Sequence, residues 1–100
     1  MEKKDVDKAE KSNTIVYTIK WNPVKSARLK RMRGVSFEEI IQAKFLGIEK
    51  NPGRSDQSIY VFEHNGYIWA VPFVYEAEGV FLKTIYPSRK FKKIYKGAKK

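Results

Sequence analysis

The sequence contains no cysteine and a single histidine, His64. Without cysteine there can be neither a disulfide framework nor a thiolate metal site, and one histidine cannot hold a zinc ion alone. The sequence also lacks a Ser-His-Asp set and a glycine-rich phosphate loop. These absences predict an intracellular protein that works without a metal or another cofactor.

Long apolar runs are missing as well. No run approaches the roughly 18 residues that a membrane span requires, and the polar N-terminus lacks the apolar centre of a signal peptide. We therefore expect a cytoplasmic protein that does not enter a membrane. Residues 1–12 mix both charge signs with almost no apolar side chain, which predicts a disordered arm. Residues 13–100 suffice for a single domain with a two-layer core.

Acidic side chains are absent from two long windows of this strongly basic chain, whose net charge is +10. Residues 20–33 carry six basic side chains and residues 88–100 carry seven, whereas the rest of the chain has more acidic than basic residues. A single basic window of this kind is explained equally well by a role in solubility and by a role in binding. Two windows at opposite ends of a small domain favour a surface that binds a polyanion.

The first half of the chain predicts a strand followed by two helices. Residues 14–21 alternate β-branched and aromatic side chains with polar ones, as half-buried strands do. Asn22 and Pro23 are typical of a helix N-cap and first position, and Gly34 of a helix C-terminus. Ser36-Phe37-Glu38-Glu39 is a capping box that opens a second helix. Its expected buried stripe is Phe37, Ile40, Ile41 and Phe45.

After a loop expected over residues 48–57, Asn65-Gly66 predicts a hairpin between strands 58–64 and 67–75. Both faces of this hairpin are largely apolar, so we expect it to be central or covered by helices. Pro72 cannot donate to a strand ladder and predicts a bulge or an outward-facing backbone position. The register that a two-residue turn imposes pairs His64 with Tyr67, Phe62 with Trp69, and Tyr60 with Val71.

The chain then predicts a last strand over residues 80–86 and, beyond Pro87, a short basic helix capped by Ser88. Apolar residues at helical spacing should dock this helix: Phe91, Ile94, Tyr95 and Ala98. The expected fold is α+β in the order β-α-α-β-β-β-α, an antiparallel sheet of about four strands with two N-terminal helices packed on it.

Several motifs in this order resemble those of the BrnT-type toxins of the RelE/ParE superfamily and their toxin-like relatives. The resemblance covers about residues 21–94. It rests on Trp21-Asn22-Pro23 with Lys25, on the run from Arg33 to Glu39, on the hairpin, and on Pro87-Ser88-Arg89-Lys90. It implies a RelE-like fold and the toxin component of a type II toxin–antitoxin system, a ribonuclease or translation inhibitor held inactive by a cognate antitoxin.

One residue departs from the family pattern, because Arg33 stands where the family usually has histidine. A guanidinium can stabilise negative charge in a transition state but is a poor general base, since it stays protonated. RNA cleavage needs no metal if the 2′-hydroxyl attacks its neighbouring phosphate and the protein aligns it, neutralises charge and moves a proton. Lys25, Arg33 and Arg89 are the candidates for charge neutralisation.

The candidates for proton transfer are His64, Tyr60, Tyr67 and Tyr86. Tyr86, next to the Pro87-Ser88-Arg89 corner, is preferred, although a tyrosine in a half-buried strand is more often a packing residue. His64 beside a hairpin turn is more often an exposed structural residue. The predicted catalytic set is thus Lys25, Arg33, Tyr86 and Arg89. The residues predicted to bind RNA around it are Arg28, Lys30, Lys83, Ser88, Lys90, Lys92 and Lys93.

The expected partners are RNA, free or on the ribosome, and an antitoxin. An antitoxin would bring acidic residues to the cationic face or add a strand to an exposed sheet edge. Two other functions fit the same sequence. One is a non-catalytic nucleic-acid-binding or regulatory module, and the other, suggested by the ParE branch, is the inhibition of a protein target such as gyrase.

Overall fold

The computed structural model describes residues 18–95, which form an α+β fold with three helices and a mixed sheet. None of the described helices has the length and apolar character of a membrane span. In chain order the elements are β1 (Thr18–Lys20), α1 (Pro23–Arg33), α2 (Phe37–Ile40), β2 (Lys44–Lys50), β3 (Ser58–His64), β4 (Tyr67–Glu76), β5 (Gly79–Leu82), β6 (Tyr86–Pro87) and α3 (Arg89–Tyr95).

The sheet is built around the β3–β4 hairpin. Its strand order is β1-β5-β4-β3-β2, and β6 also pairs with β4. The pairing of β1 with β5 is parallel and the other pairings are antiparallel. Asn65 and Gly66 have positive φ angles of 53° and 80°, as a type I′ turn requires. The predicted register is confirmed: His64 pairs with Tyr67, Phe62 with Trp69, and Tyr60 with Val71.

Both faces of the hairpin are buried, which confirms that it is central and covered. On one face the aromatic side chains of the hairpin pack against α1 and α2, in a core that includes Leu29, Phe37, Phe62, Trp69 and Phe73. On the other face, α3 covers a smaller core of Ile59, Val61, Ile68, Ala70 and Phe91. The sheet therefore lies between α1 and α3.

The predicted caps of the first two helices are also confirmed. The Asn22 side chain accepts hydrogen bonds from the first turn of α1, and Gly34 ends this helix with φ 83°. Ser36 and Glu39 form the reciprocal capping box of α2. Local sequence alone dictates these features, because each partner lies within a few residues.

A buried serine joins α1 to α2. Ser26 is 1% exposed, and its Oγ donates to Glu38 at 2.5 Å while accepting a hydrogen bond from the Phe37 backbone N–H at 2.9 Å. Trp21 also donates to Glu38, through Nε1 at 3.2 Å, and its ring packs on Phe37. These hydrogen bonds hold the pKa of Glu38 below its usual value, the one from Ser26 having the largest effect. The corner between the helices is therefore fixed by polar contacts as well as by packing.

The prediction of a long second helix is wrong. Helix α2 ends at Ile40, and residues 44–50, expected as helix and loop, instead form edge strand β2. Phe45, expected in the buried stripe, is 52% exposed. The outer edge of β3 would otherwise leave its backbone groups unpaired, and pairing with β2 satisfies them. The sheet consequently has more strands than expected, and the parallel pairing of β1 with β5 makes it mixed rather than antiparallel.

The last predicted strand is interrupted. Strand β5 ends at Leu82, and β6 begins at Tyr86, so residues 83–85 leave the ladder. Pro72 lies opposite this interruption without a bulge, still paired in register with Ile59 on β3. The Pro72 carbonyl accepts a hydrogen bond from the Lys83 N–H at 2.8 Å. The Pro72 nitrogen, which has no hydrogen to donate, points to the same side, where β5 has ended. Neither predicted alternative is found, because the register has no bulge at Pro72 and this residue is buried with its carbonyl bonded to Lys83.

Strand β1 covers residues 18–20 of the predicted N-terminal strand. Residues 14–17 of the predicted strand, the predicted arm 1–12, and Ala98 of the predicted C-terminal stripe lie outside the described residues. The pairing of β1 with β5 depends on a close backbone approach at Gly79. A Cβ atom at this position would lie 1.9 Å from the Thr18 carbonyl oxygen.

We expect Gly79→Ala to lower the free energy of unfolding by about 1–3 kcal/mol, because β1 must move away from β5 to admit the methyl group. Gly53→Ala is the matched control, since its Cβ would meet only a side-chain oxygen at 3.7 Å. Urea unfolding followed by circular dichroism measures both. Equal stability of the two variants would contradict the described β1–β5 contact.

Candidate nucleic-acid interface

The two basic segments of the chain lie on opposite faces of the sheet and approach each other at one end of the β3–β4 hairpin. Helix α1 ends there at Arg33, and β6 leads from the same edge into α3. Two adjoining depressions mark the place where they meet. We refer to these two depressions together as the hairpin-end cleft.

The first depression, of about 410 Å³, lies on the side of α1 and the second, of about 300 Å³, on the side of α3. Tyr67 and Pro87 line both depressions, and none of the acidic residues among 18–95 lines either one. The first is otherwise lined by Arg33, Gly34, Val35, His64, Asn65 and Trp69. The second is otherwise lined by Ile68, Ser88, Arg89 and Lys92. The cleft thus carries basic, aromatic and imidazole side chains together.

His64 and Tyr67 are placed by the hairpin turn itself, because they form the last residue pair of the β3–β4 ladder. Trp69, the next residue on the same face of β4, is almost completely buried and donates from Nε1 to the His64 carbonyl at 3.0 Å. Tyr67 packs edge-on against Trp69, with ring centroids 6.0 Å apart, and remains 58% exposed. The cleft therefore has a buried, hydrogen-bonded Trp69 at its base and the exposed Tyr67 ring beside it.

Arg33 connects α1 to the interrupted edge of the sheet. One of its terminal nitrogens donates a hydrogen bond to the Ile85 carbonyl, within the segment that has left the ladder. This bond satisfies an acceptor that strand pairing does not reach. A guanidinium has five N–H donors, so further donors remain for a ligand in the first depression. Arg33 thus has a structural contact and a position in the cleft.

Arg33 belongs to a group of four basic residues, three on α1 and one in the segment after β5. They are Lys25, Arg28, Arg33 and Lys83. Burial lowers the pKa of Lys25, and the charges of Lys83, Arg28 and Arg33 lower it further. Two ion pairs join described residues, Lys30 with Glu39 and Arg54 with Asp56, and neither of them includes Lys25, Arg28, Arg33 or Lys83. The cluster Lys25, Arg28, Arg33 and Lys83, called the α1 cluster below, therefore lacks carboxylate partners within residues 18–95.

Helix α3 holds its cations against the other face of the sheet. Phe91 is 3% exposed and anchors the helix in the smaller core, and the Ser88 Oγ accepts from the Phe91 N–H at 3.1 Å, as its predicted capping role requires. At the other end, the Tyr95 hydroxyl donates to Glu49 on β2, which raises the pKa of Tyr95 to about 12. Arg89 and Lys92 are thereby held at the second depression.

The structure brings together some of the predicted site residues and separates others. Arg33, Ser88, Arg89 and Lys92 line the cleft, while Lys25, Arg28 and Lys83 belong to the adjacent α1 cluster. Three residues lie apart: Lys30 is paired with Glu39 at 2.8 Å, the Lys90 ammonium lies 5.8 Å from the Phe91 ring centroid, and Lys93 is exposed on α3.

The proton-transfer candidates are placed differently from the sequence-based preference. Tyr86 is half-buried against the smaller core and lines neither depression, whereas His64 and Tyr67 line the cleft. The sequence-based hairpin register correctly paired His64 with Tyr67. The end of α1 and the start of α3 approach His64 and Tyr67 through tertiary contacts. The local sequence does not indicate these contacts.

Comparisons of the chain with models of known protein families, with curated proteins and with solved structures found no match. Within residues 18–95 there is also no group of three or more histidine or carboxylate side chains that could hold a metal ion. The residues that line the cleft offer cationic hydrogen-bond donors, one imidazole and an exposed phenol.

We expect Lys25→Gln to raise the melting temperature at pH 7, because it removes a cation that its surroundings disfavour. Since the folded-state pKa of Lys25 is lowered, the unfolded chain binds more protons between that pKa and the usual 10.5. The free energy of unfolding of the wild type should therefore increase as the pH rises through this window, because Lys25 loses its unfavourable charge in the folded state. Lys25→Gln should not show this increase in stability with pH.

Thermal melts of the wild type and Lys25→Gln at neutral and alkaline pH measure this effect. Lys50→Gln, at an exposed position on edge strand β2, controls for the loss of one positive charge from the whole protein. If both variants shift the melting temperature equally, the repulsion within the α1 cluster has no local effect on stability.

Proposed function

We propose that this chain is a cytoplasmic toxin of the BrnT kind, with a RelE-like fold, that binds and cleaves RNA at the hairpin-end cleft. The observation that carries the proposal is the composition of this cleft. Arg33, Arg89 and Lys92 line it together with His64 and Tyr67, and no acidic side chain of the described part of the chain does. A polyanion is the ligand that such a lining favours.

The charge distribution supports an extended ligand rather than a single small anion. The α1 cluster continues from the first depression on one face, and the exposed cations of α3 adjoin the second depression on the other. A nucleic-acid backbone that crosses the hairpin end would meet positive charge on both sides. Binding through several phosphates should release counterions and weaken steeply with salt.

Cleavage at this cleft would use the neighbouring 2′-hydroxyl of the RNA as the nucleophile. Its oxygen forms a bond to phosphorus while the bond from phosphorus to the 5′-oxygen breaks, leaving a 2′,3′-cyclic phosphate. The His64 imidazole accepts the proton of the 2′-hydroxyl, and the leaving 5′-oxygen takes up a proton from water. Arg33 and Arg89 stabilise the negative charge that develops on the phosphate oxygens.

An acidic antitoxin is the protein partner that this surface favours. Carboxylates placed over the cleft would neutralise the same cations that the RNA needs, which would block binding directly. The exposed edges of the sheet at β1 and β2 offer a second contact, by the addition of a strand. Ribosome-bound and free RNA are both compatible with a cleft at the end of the sheet.

One observation favours a non-catalytic nucleic-acid-binding module as the second candidate. Arg33, at the position where the BrnT-type toxins usually carry histidine, already donates to the Ile85 carbonyl, a structural contact that requires no catalytic role. In such a module the same cations would bind the phosphate backbone without strand scission, and a regulatory role would replace a toxic one.

The test is cleavage of single-stranded RNA by purified protein in the presence of a metal chelator. We expect products that end in a 2′,3′-cyclic phosphate, and none from RNA whose 2′-hydroxyls are methylated. His64→Ala and Arg89→Ala should each reduce the rate by about 10²-fold or more. Arg54→Ala should cleave normally, because Arg54 is paired with Asp56 in the loop between β2 and β3.

Expression without an antitoxin provides the cellular counterpart. Growth arrest with decay of mRNA, abolished by Arg89→Ala, is expected for the toxin. Intact RNA together with retained, salt-sensitive binding would establish the second candidate instead. DNA damage without mRNA decay would indicate a protein target such as gyrase.

A further inference from the structure

We infer that Tyr67 is a base-stacking platform, so that the hairpin-end cleft takes single-stranded rather than duplex RNA; this rests on the proposed function. The feature that prompts the inference is the position of this ring. Tyr67 lines both depressions and is 58% exposed, although it belongs to a central strand of the sheet.

The ring of Tyr67 packs against a fixed neighbour. Trp69 contacts it at an interplanar angle of 66°, and Trp69 is itself fixed by burial and by its hydrogen bond to the His64 carbonyl. A rigid aromatic side chain gives up little conformational entropy when a ligand covers it. The orientation of the Tyr67 ring is thus set before a base arrives.

Cations lie on both sides of this ring. Arg33 lines the first depression and Arg89 and Lys92 line the second, so Tyr67 stands between two places where phosphates are favoured. Alternation of aromatic and cationic groups along a path is the arrangement by which proteins hold single strands, with bases stacked on rings and phosphates neutralised beside them. Bases within a duplex are already stacked on each other and do not offer a free face.

Another exposed tyrosine of the same strand lacks these surroundings and serves as a control. Tyr75 is 63% exposed and packs edge-on against Phe73, with ring centroids 5.3 Å apart, much as Tyr67 packs against Trp69. It lies near the opposite end of β4 and lines neither depression. Exposure of the ring is therefore matched between the two positions, whereas the two depressions and the cations that line them are found only at Tyr67.

The experiment is fluorescence anisotropy with a short, labelled, single-stranded RNA whose 2′-hydroxyls are methylated, so that binding is measured without cleavage. Tyr67→Ala should weaken binding by about 5- to 150-fold, the range for the loss of one stacked base. Tyr67→Phe should bind like the wild type because the ring is retained. Tyr75→Ala should also bind like the wild type.

Two further measurements separate stacking from charge. The dependence of affinity on salt should be the same in Tyr67→Ala as in the wild type, because no phosphate contact is removed. The same RNA annealed to its complement should bind Tyr67→Ala and wild type equally. Circular dichroism melts of each variant establish that the fold is retained.

Equal affinities of Tyr67→Ala and Tyr75→Ala for the single strand would overturn the inference, as would an equal loss of duplex binding in Tyr67→Ala. In either case a steep salt dependence of the wild type would still support an RNA-binding cleft. If the wild type binds neither the single strand nor the duplex, the proposed function is overturned together with the stacking role of Tyr67.

Discussion

The rest of the structure depends on the two-residue turn at Asn65-Gly66. A type I′ turn leaves β3 and β4 only one register, and because side chains alternate along a strand, that register decides which residues face α1 and which face α3. A slip of one residue would exchange the aromatic face of the hairpin with its aliphatic face and undo both cores. The same turn brings His64 and Tyr67 opposite each other at the end of the sheet, so the element that organises the core also forms the centre of the cleft.

The interruption of the sheet after β5 connects this centre to the cations. A continuous last strand would have carried residues 83–85 in the ladder and left no free carbonyl at Ile85. Because the strand breaks, Arg33 reaches that carbonyl and fastens the end of α1 to the edge of the sheet. Strand β6 then resumes beside β4 and delivers Arg89 to the other side of the same edge. Two basic segments that the sheet would otherwise keep apart thus approach one end of one hairpin.

The features that could be predicted from the sequence are those whose partners are local: the caps at Asn22 and Ser36, the stop at Gly34, and the hairpin with its register. Strand β2 was not predicted, since Phe45 completes the expected helical stripe and residues 48–50 fall in an expected loop, whereas in the fold residues 44–50 pair with β3. The parallel pairing of β1 and the break after β5 likewise depend on tertiary contacts.

For the site, charge patterning identified Arg33 and Arg89. It did not identify His64 and Tyr67 as their neighbours, and several motif residues of the family resemblance, among them Trp21, Ser36 and Glu38, fix the α1–α2 corner instead.

The most direct test of an RNA-binding cleft at the hairpin end is a map of backbone amide chemical shifts, recorded by nuclear magnetic resonance as uncleavable single-stranded RNA is added to isotope-labelled protein. The amides that shift most should be those around Arg33, His64, Tyr67 and Arg89, on both faces of the sheet, while those of the β2–β3 loop near Arg54 stay unchanged. Shifts confined to the β2 edge or to one basic helix alone, with the hairpin end unaffected, would contradict the assignment of the cleft as the RNA site.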